Sequence, residues 1–323
     1  MNIIALLSII GTLFLLMICG YVCRKTGIIN NDSSKGLSRL IISVGQPMMI
    51  ISALYNAENS PKNLNIAWQV VLIGFAMHVL MSLAAFLICK PMKKGDRAKI
   101  FEFTLVFSNC GFIGFPILDS LLNDSLGEGM GSFMGAFYVI SFHLFLWTWG
   151  IIILARDRED IKMTPKKALF NYGTIPCVIG VVLYLVKPYL PLPAAIHATL
   201  GSFLSYLGSL CTPISVLITG ALLATISLPK MFSSVKLYGH SFVKLIAFPM
   251  VICLLAKLCG LSETYILLAT AMAGVPSAAT ITMLAELYDI EPGYASQTVG
   301  LTSLLSTLTL PMVMLFAQWV ASI

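Results

Sequence analysis

Charge is scarce in this chain. Asp, Glu, Lys and Arg make up 11% of its 323 residues, hydrophobic residues make up 58%, and the mean hydropathy is +0.91. So small a charged fraction, with apolar runs recurring from end to end, excludes a soluble globular domain and marks a polytopic membrane protein. Motifs for chemistry are missing as well. There is no GxxxxGK[ST] loop, which excludes a P-loop ATP-driven pump. No Asp-rich metal motif of the kind prenyl transfer needs lies in an apolar run, and no nucleophile elbow supports an intramembrane serine protease. The eight cysteines (19, 23, 89, 110, 177, 211, 253 and 259) form no CxxC and join no histidine cluster, so they indicate neither a zinc site nor a disulfide framework. They read as small buried hydrophobes. Buried acidic clusters that would announce a sodium site are absent too. The expectation is a protein that is not an enzyme and holds no cofactor or metal, with H+ or Na+ as the candidate coupling ion.

What is present is a series of spans. A helix needs roughly 20 apolar residues to cross a bilayer. On that measure ten segments emerge, at about 2–22, 36–55, 66–89, 98–122, 130–155, 168–187, 196–226, 234–257, 263–287 and 294–320. Met1–Tyr21 lacks a basic start and a small-residue cleavage site, so it is expected to stay as the first span rather than serve as a signal peptide.

The net charge of +6 comes from basic residues in short loops, where it reports orientation rather than nucleic-acid binding. Loops after odd-numbered segments hold Arg24, Lys25, Lys35, Arg39, Lys90, Lys93, Lys94, Arg97, Lys99, Arg156, Arg158, Lys162, Lys166, Lys167, Lys230 and Lys236. Loops after even-numbered segments hold only Lys62, Lys187 and Lys257. The expectation is a plasma (inner) membrane protein with both termini on the extracytoplasmic side.

Two segments are interrupted. Segment 4 contains Ser108-Asn109-Cys110-Gly111-Phe112-Ile113-Gly114-Phe115-Pro116, and segment 9 contains Gly274-Val275-Pro276-Ser277-Ala278-Ala279-Thr280. Pro116 is expected to break its helix by lacking an N–H and by pushing Phe115 out of the α region. The polar stretch Arg156–Lys167 is the natural midpoint, dividing the chain into 1–160 and 161–323. Gln46-Pro47 corresponds to Thr212-Pro213, Glu102 to Glu263 and Pro116 to Pro276, at offsets of 166, 161 and 160. That regularity, with an odd number of spans per half, predicts an inverted five-plus-five repeat.

The run Asn109 to Pro116, with Gly274 to Ala279 and the trailing Ala285-Glu286-Leu287-Tyr288, resembles the auxin efflux carrier family along the whole chain. Many relatives have an asparagine where this second motif has small residues, and many plant members carry a long central loop that is missing here. The resemblance implies the fold of bile-acid and sodium–proton antiporter-like carriers, with segments 4 and 9 crossing at their breaks. It implies a scaffold, often dimeric, from about 2–55 and 168–226. The moving transport domain would comprise about 66–155 and 234–320 and work by an elevator-like step. The substrate class it implies is small organic anions, such as malate, malonate or auxin-like acids.

The residues agree with an anion. Half-helix N-termini at the breaks present unpaired N–H groups and partial positive charge. Asn109, Cys110, Gly111, Gly114, Pro116, Gly274, Pro276, Ser277 and Thr280 are the candidate substrate-binding residues. Asn109 and Ser277 also suit the capping of broken ends. Intramembrane ionisable residues are functional candidates, which singles out His78, His143 and Lys244 for coupling or cavity lining. Imidazoles titrate near neutral pH. Lys244 is expected near the cytoplasmic end of segment 8, either snorkelling or neutralising the substrate. Gln46 and Thr212 are expected to face the cavity beside proline kinks, and Glu102 and Glu263 to begin their helices at opposite interfaces. An uncoupled uniporter or exchanger is the alternative within transport. A channel is the other class, which a saturable rate and counterflow would separate from a carrier.

Overall fold

In lipid a chain segment has only its own backbone to bond with, so apolar runs become helices. The computed structural model describes residues 3–92, 95–158, 170–171 and 173–323. Among these residues every regular element is a helix, apart from one isolated bridge between Ser108 and Ser277. In chain order the elements are α1 (Ile3–Lys25), α2 (Asn31–Asn56), α3 (Pro61–Cys89), α4 (Asp96–Val106), α5 (Gly114–Leu126) and α6 (Met130–Ala155). There follow α7 (Thr174–Val186), α8 (Ala194–Leu223), α9 (Leu228–Phe232), α10 (Val235–Leu258), α11 (Glu263–Gly274), α12 (Thr280–Leu287) and α13 (Pro292–Ser322). Seven of them (α1, α2, α3, α6, α8, α10 and α13) are long and apolar enough to cross a membrane, and α7 is a shorter apolar helix. The midpoint at 160/161 and Lys93, Lys94, Lys162, Lys166 and Lys167 lie outside the described residues.

Caps extend two spans beyond their apolar runs. Asn30 and Ser33 form a capping box that starts α2 at Asn31, and the Ser60 hydroxyl accepts the Asn63 N–H to start α3 at Pro61. The prolines at 47 and 249 leave their helices continuous. Each follows a π-helical turn, Ile41–Gly45 and Val243–Ala247, whose wider spacing takes up the missing N–H.

Packing sorts the helices. α1 lies along the second part of α8, with Gly20 against the Leu217 carbonyl and Gly220 against the Met17 carbonyl. The later part of α2 sits between α7 and α8. Elsewhere α3 and α5 pack on α6, while α11 packs on α10 and α13.

Two expectations are corrected. Phe115 and Pro116 lie inside α5, and the break falls earlier, between Val106 and Gly114. A proline in the first turn of a helix forfeits an N–H that has no partner there anyway. Glu102 does not begin its helix, since α4 starts at Asp96. Its carboxylate is buried because Arg156, just beyond α6, holds it bidentately at 2.8 and 3.1 Å. The same hydrogen bonds raise the pKa of the Arg156 guanidinium above its ordinary value. Glu263 does open α11 and is exposed.

Candidate functional site: the crossing of two broken helices

Helix α11 ends where proline dictates. Val275, ahead of Pro276, is driven into an extended conformation (φ −65°, ψ 153°). Helix α4 ends as Phe107 becomes extended (φ −95°, ψ 113°). The two extended stretches pass antiparallel. The Asn109 N–H donates to the Pro276 carbonyl at 2.7 Å, and the Ala278 N–H donates to the Phe107 carbonyl at 2.9 Å. Residues from opposite halves of the chain thus form one two-bond bridge deep in the protein.

Two of the carbonyls released at the end of α4 are taken up by side chains from the second half of the chain. The Ser277 hydroxyl donates to the Thr104 carbonyl at 3.0 Å. The Lys244 ammonium donates to the Leu105 carbonyl at 3.2 Å and to the Ser108 hydroxyl at 2.6 Å. Thr302 on α13 accepts the Ser277 N–H at 3.3 Å. Lys244 neither lies near the end of its helix nor snorkels. It is near the middle of α10, inside a π turn, and fully buried. The acceptors at the α4 end hold it there.

The donors are in the opposite condition. Among the described residues the backbone N–H groups of Phe112, just before α5, and Phe115, in its first turn, have no acceptor, nor do those of Ala279 and Thr280 at the start of α12. The Asn109 side-chain amide, 6% exposed, makes no hydrogen bond among these residues either. Gly111, Phe112, Ala279 and Thr280 are half-buried, so they form the accessible edge of the crossing.

The first break is approached from α2 and α8. Thr212 donates its hydroxyl to the Phe112 carbonyl at 3.0 Å. The Gln46 amide lies about 4.0 Å from where a Cβ on Gly111 would be, and 3.3 Å from His143 Nε2. His143 is therefore at the contact between α2 and α6, with Gly173 packed against its ring. His78 donates from Nδ1 to the Gly74 carbonyl at 2.6 Å, inside an aromatic surround of Phe107, Tyr138, Phe142 and Phe145. It stands 166 positions before Lys244, the spacing that relates Gln46 to Thr212. Cys110 is buried, Gly114 packs on Met272, and Gly274 packs against Pro249, Leu310 and Val313.

A cavity of about 870 Å³ lies between α2 and α8 on one side and α5 on the other. Pro116, Thr212 and Met49 are on its wall, and Glu58, Lys62 and Glu128 are also among its lining residues. Its size is that of a small-molecule site. Part of the wall is polar: Ser52, Asn56 and Ser205 are joined by hydrogen bonds of 3.0–3.2 Å, and Asp119 accepts the Ser132 N–H at 2.7 Å. Sequence reasoning missed this wall, along with Thr104 and Thr302. The four-residue spacing of Ser52 and Asn56, and of Ser205 and Ser209, was the available signal.

Comparison with known proteins agrees over nearly the full length. The family described as membrane transport protein matches residues 6–314. An uncharacterized transporter of Methanothermobacter thermautotrophicus is 21% identical over 304 residues, covering 93% of this chain and 95% of that protein. An uncharacterized transporter of Methanocaldococcus jannaschii is 22% identical over 313 residues, covering 94% of this chain and 96% of that one.

Proposed function

The chain belongs to the membrane transport protein family, the auxin efflux carrier family that its broken-helix motifs resemble, and on that premise we propose that it is a secondary active transporter of a small organic anion. The substrate is a carboxylate or dicarboxylate such as malate or malonate, or an auxin-like acid, bound where the two broken helices cross. The ten spans are the seven long helices, α7 and the two broken pairs α4/α5 and α11/α12, arranged as an inverted repeat in the plasma membrane with both termini outside. The helices α1, α2, α7 and α8 form a dimeric scaffold. The other group, α3–α6 with α10–α13, carries the crossing in an elevator-like step, and the cavity opens to the extracytoplasmic side.

The observation that carries this reading is the imbalance of partners at the crossing. Three carbonyls freed at the end of α4, those of Thr104, Leu105 and Phe107, are bonded, while the N–H groups of Phe112, Phe115, Ala279 and Thr280 at the two helix starts have no acceptor among the described residues. Each such terminus carries about half a positive charge, and Lys244, buried beside them, adds a full charge in its protonated form. No carboxylate balances them, since the ion pairs among the described residues are Arg97–Glu291, Lys99–Asp96 and Arg156–Glu102. An anion supplies both the missing acceptors and the missing charge.

The test is purified protein in liposomes, with charge movement and isotope counterflow recorded for malate, malonate, succinate and indole-3-acetate, with and without sodium and a pH step. Saturable counterflow of one acid, not competed by its neutral amide and weakened by Asn109→Ala, is the expected result. Equal competition by acid and amide would refute anion recognition, and non-saturating flux would indicate a channel.

A further inference from the structure

The anion reading uses the charge of Lys244 but does not account for the contacts that hold it. Lys244 has no acidic partner among the described residues, yet it is fully buried at the crossing. An ammonium has three N–H donors, and two of them reach oxygens at the C-terminal end of α4, the Leu105 carbonyl and the Ser108 hydroxyl. That helix end carries partial negative charge and would otherwise offer a cluster of oxygens, the ligand set hard cations prefer. Two further acceptors there are already used. Ser277 takes the Thr104 carbonyl and Ala278 takes the Phe107 carbonyl. One turn earlier on α10, His240 bonds the Thr104 hydroxyl at 2.8 Å, which fixes α10 against α4. The π turn at Val243–Ala247 rotates Lys244 into this contact.

We propose that the Lys244 ammonium is a resident cation of the crossing, occupying the seat at the α4 terminus that a coupling sodium ion would need. The crossing is then positively charged and cation-filled without recruiting a metal, and Lys244 acts as a positioning residue that holds Ser108 and the end of α4 in register with Ser277. The consequence for coupling rests on the carrier reading; the occupancy does not, and it is tested without transport.

The experiment is thermal unfolding of the full chain in detergent, in sodium chloride against choline chloride at equal ionic strength. The wild-type midpoint is expected to be the same in both. Lys244→Ala opens the seat: its midpoint falls, and sodium or methylammonium, but not choline, restores at least half of the loss in a saturable manner. Lys244→Met keeps the stem in place, so it is expected to lose stability without regaining it from any small cation. A saturable rise of the wild-type midpoint with sodium would overturn the proposal, as would a Lys244→Ala protein insensitive to every small cation. If Lys244→Ala cannot be purified, the wild-type sodium titration and Lys244→Met decide. Failure of the anion reading would appear separately, as carboxylates that do not raise the wild-type midpoint.

Discussion

The hydrogen bond from Thr212 to the Phe112 carbonyl joins α8 to the first break, and it tests whether these two parts move against each other. If the crossing slides along the scaffold, this bond exists in one arrangement and is broken in the other. A neutral hydrogen bond contributes about 1 kcal/mol net, which corresponds to about a fivefold change in a two-state ratio. Water in the cavity can solvate the freed Phe112 carbonyl, which is half-buried, so fivefold is an upper figure. Thr212→Val keeps the shape and removes the donor, whereas Thr212→Ser keeps the donor. The assay is electron–electron double resonance between spin labels at Ser209 on α8 and Asp124 on α5, both exposed, in a background with the exposed Cys19 and Cys259 replaced by serine. Thr212→Val should shift the ratio of two distance populations up to about fivefold away from the arrangement described here, and Thr212→Ser should restore it. A single distance, unmoved by Thr212→Val while the melting midpoint drops, would refute relative motion at this contact.

Two stability predictions follow from the packing. Arg156→Ala strands the Glu102 carboxylate, which is 1% exposed; the loss is expected at about 2 kcal/mol, below the 3–5 typical of a broken buried pair because the Arg156 side chain is 38% exposed. Glu102→Gln, which removes the charge instead of stranding it, should melt above Arg156→Ala, and the reverse order would refute this account. Gly220→Ala places a Cβ about 1.9 Å from the Met17 carbonyl oxygen, a clash with backbone that forces α1 and α8 apart. It should destabilise by roughly 1–3 kcal/mol. Gly11→Ala on the same α1, with open space around it, should be neutral or stabilising. Equal effects at the two sites in a thermal melt would show that α1 and α8 do not depend on this close approach.

Local signals read well and distant ones did not. Apolar length located the seven long helices, and the glycine and proline spacing found both interruptions, because those features act through the residue's own backbone. The first break was displaced all the same. Pro116 looked like the breaker, but a proline is tolerated in the first turn of α5, and what ends α4 is the pairing of Asn109 with Pro276. That pairing joins positions far apart in sequence and leaves no local trace. Thr104 and Thr302 were hidden for a related reason: each hydroxyl also bonds the carbonyl four residues back, as any threonine in an apolar helix does. Lys244 was misplaced because a lysine between apolar residues suggests snorkelling unless the acceptors are known, and its acceptors lie on another helix.

On the proposed carrier reading, those acceptors set how charge moves through the cycle. With Lys244 protonated and no carboxylate beside it, the empty crossing carries about one net positive charge, and the crossing loaded with a monovalent anion carries about none. Transit of the empty form therefore works against or with the membrane potential, at up to about 2.3 kcal/mol per 100 mV for a charge crossing the whole field. Transit of the loaded form does not. Exchange uses only loaded transits, while net uptake needs the empty crossing to return. Exchange of a monovalent carboxylate such as indole-3-acetate in liposomes is thus expected to be faster than its net uptake and insensitive to an imposed potential, and net uptake to respond to it. Lys244→Met should remove the voltage response of net uptake if it transports at all. Net uptake and exchange with the same voltage dependence would mean that the charge of the crossing is balanced by something other than the substrate.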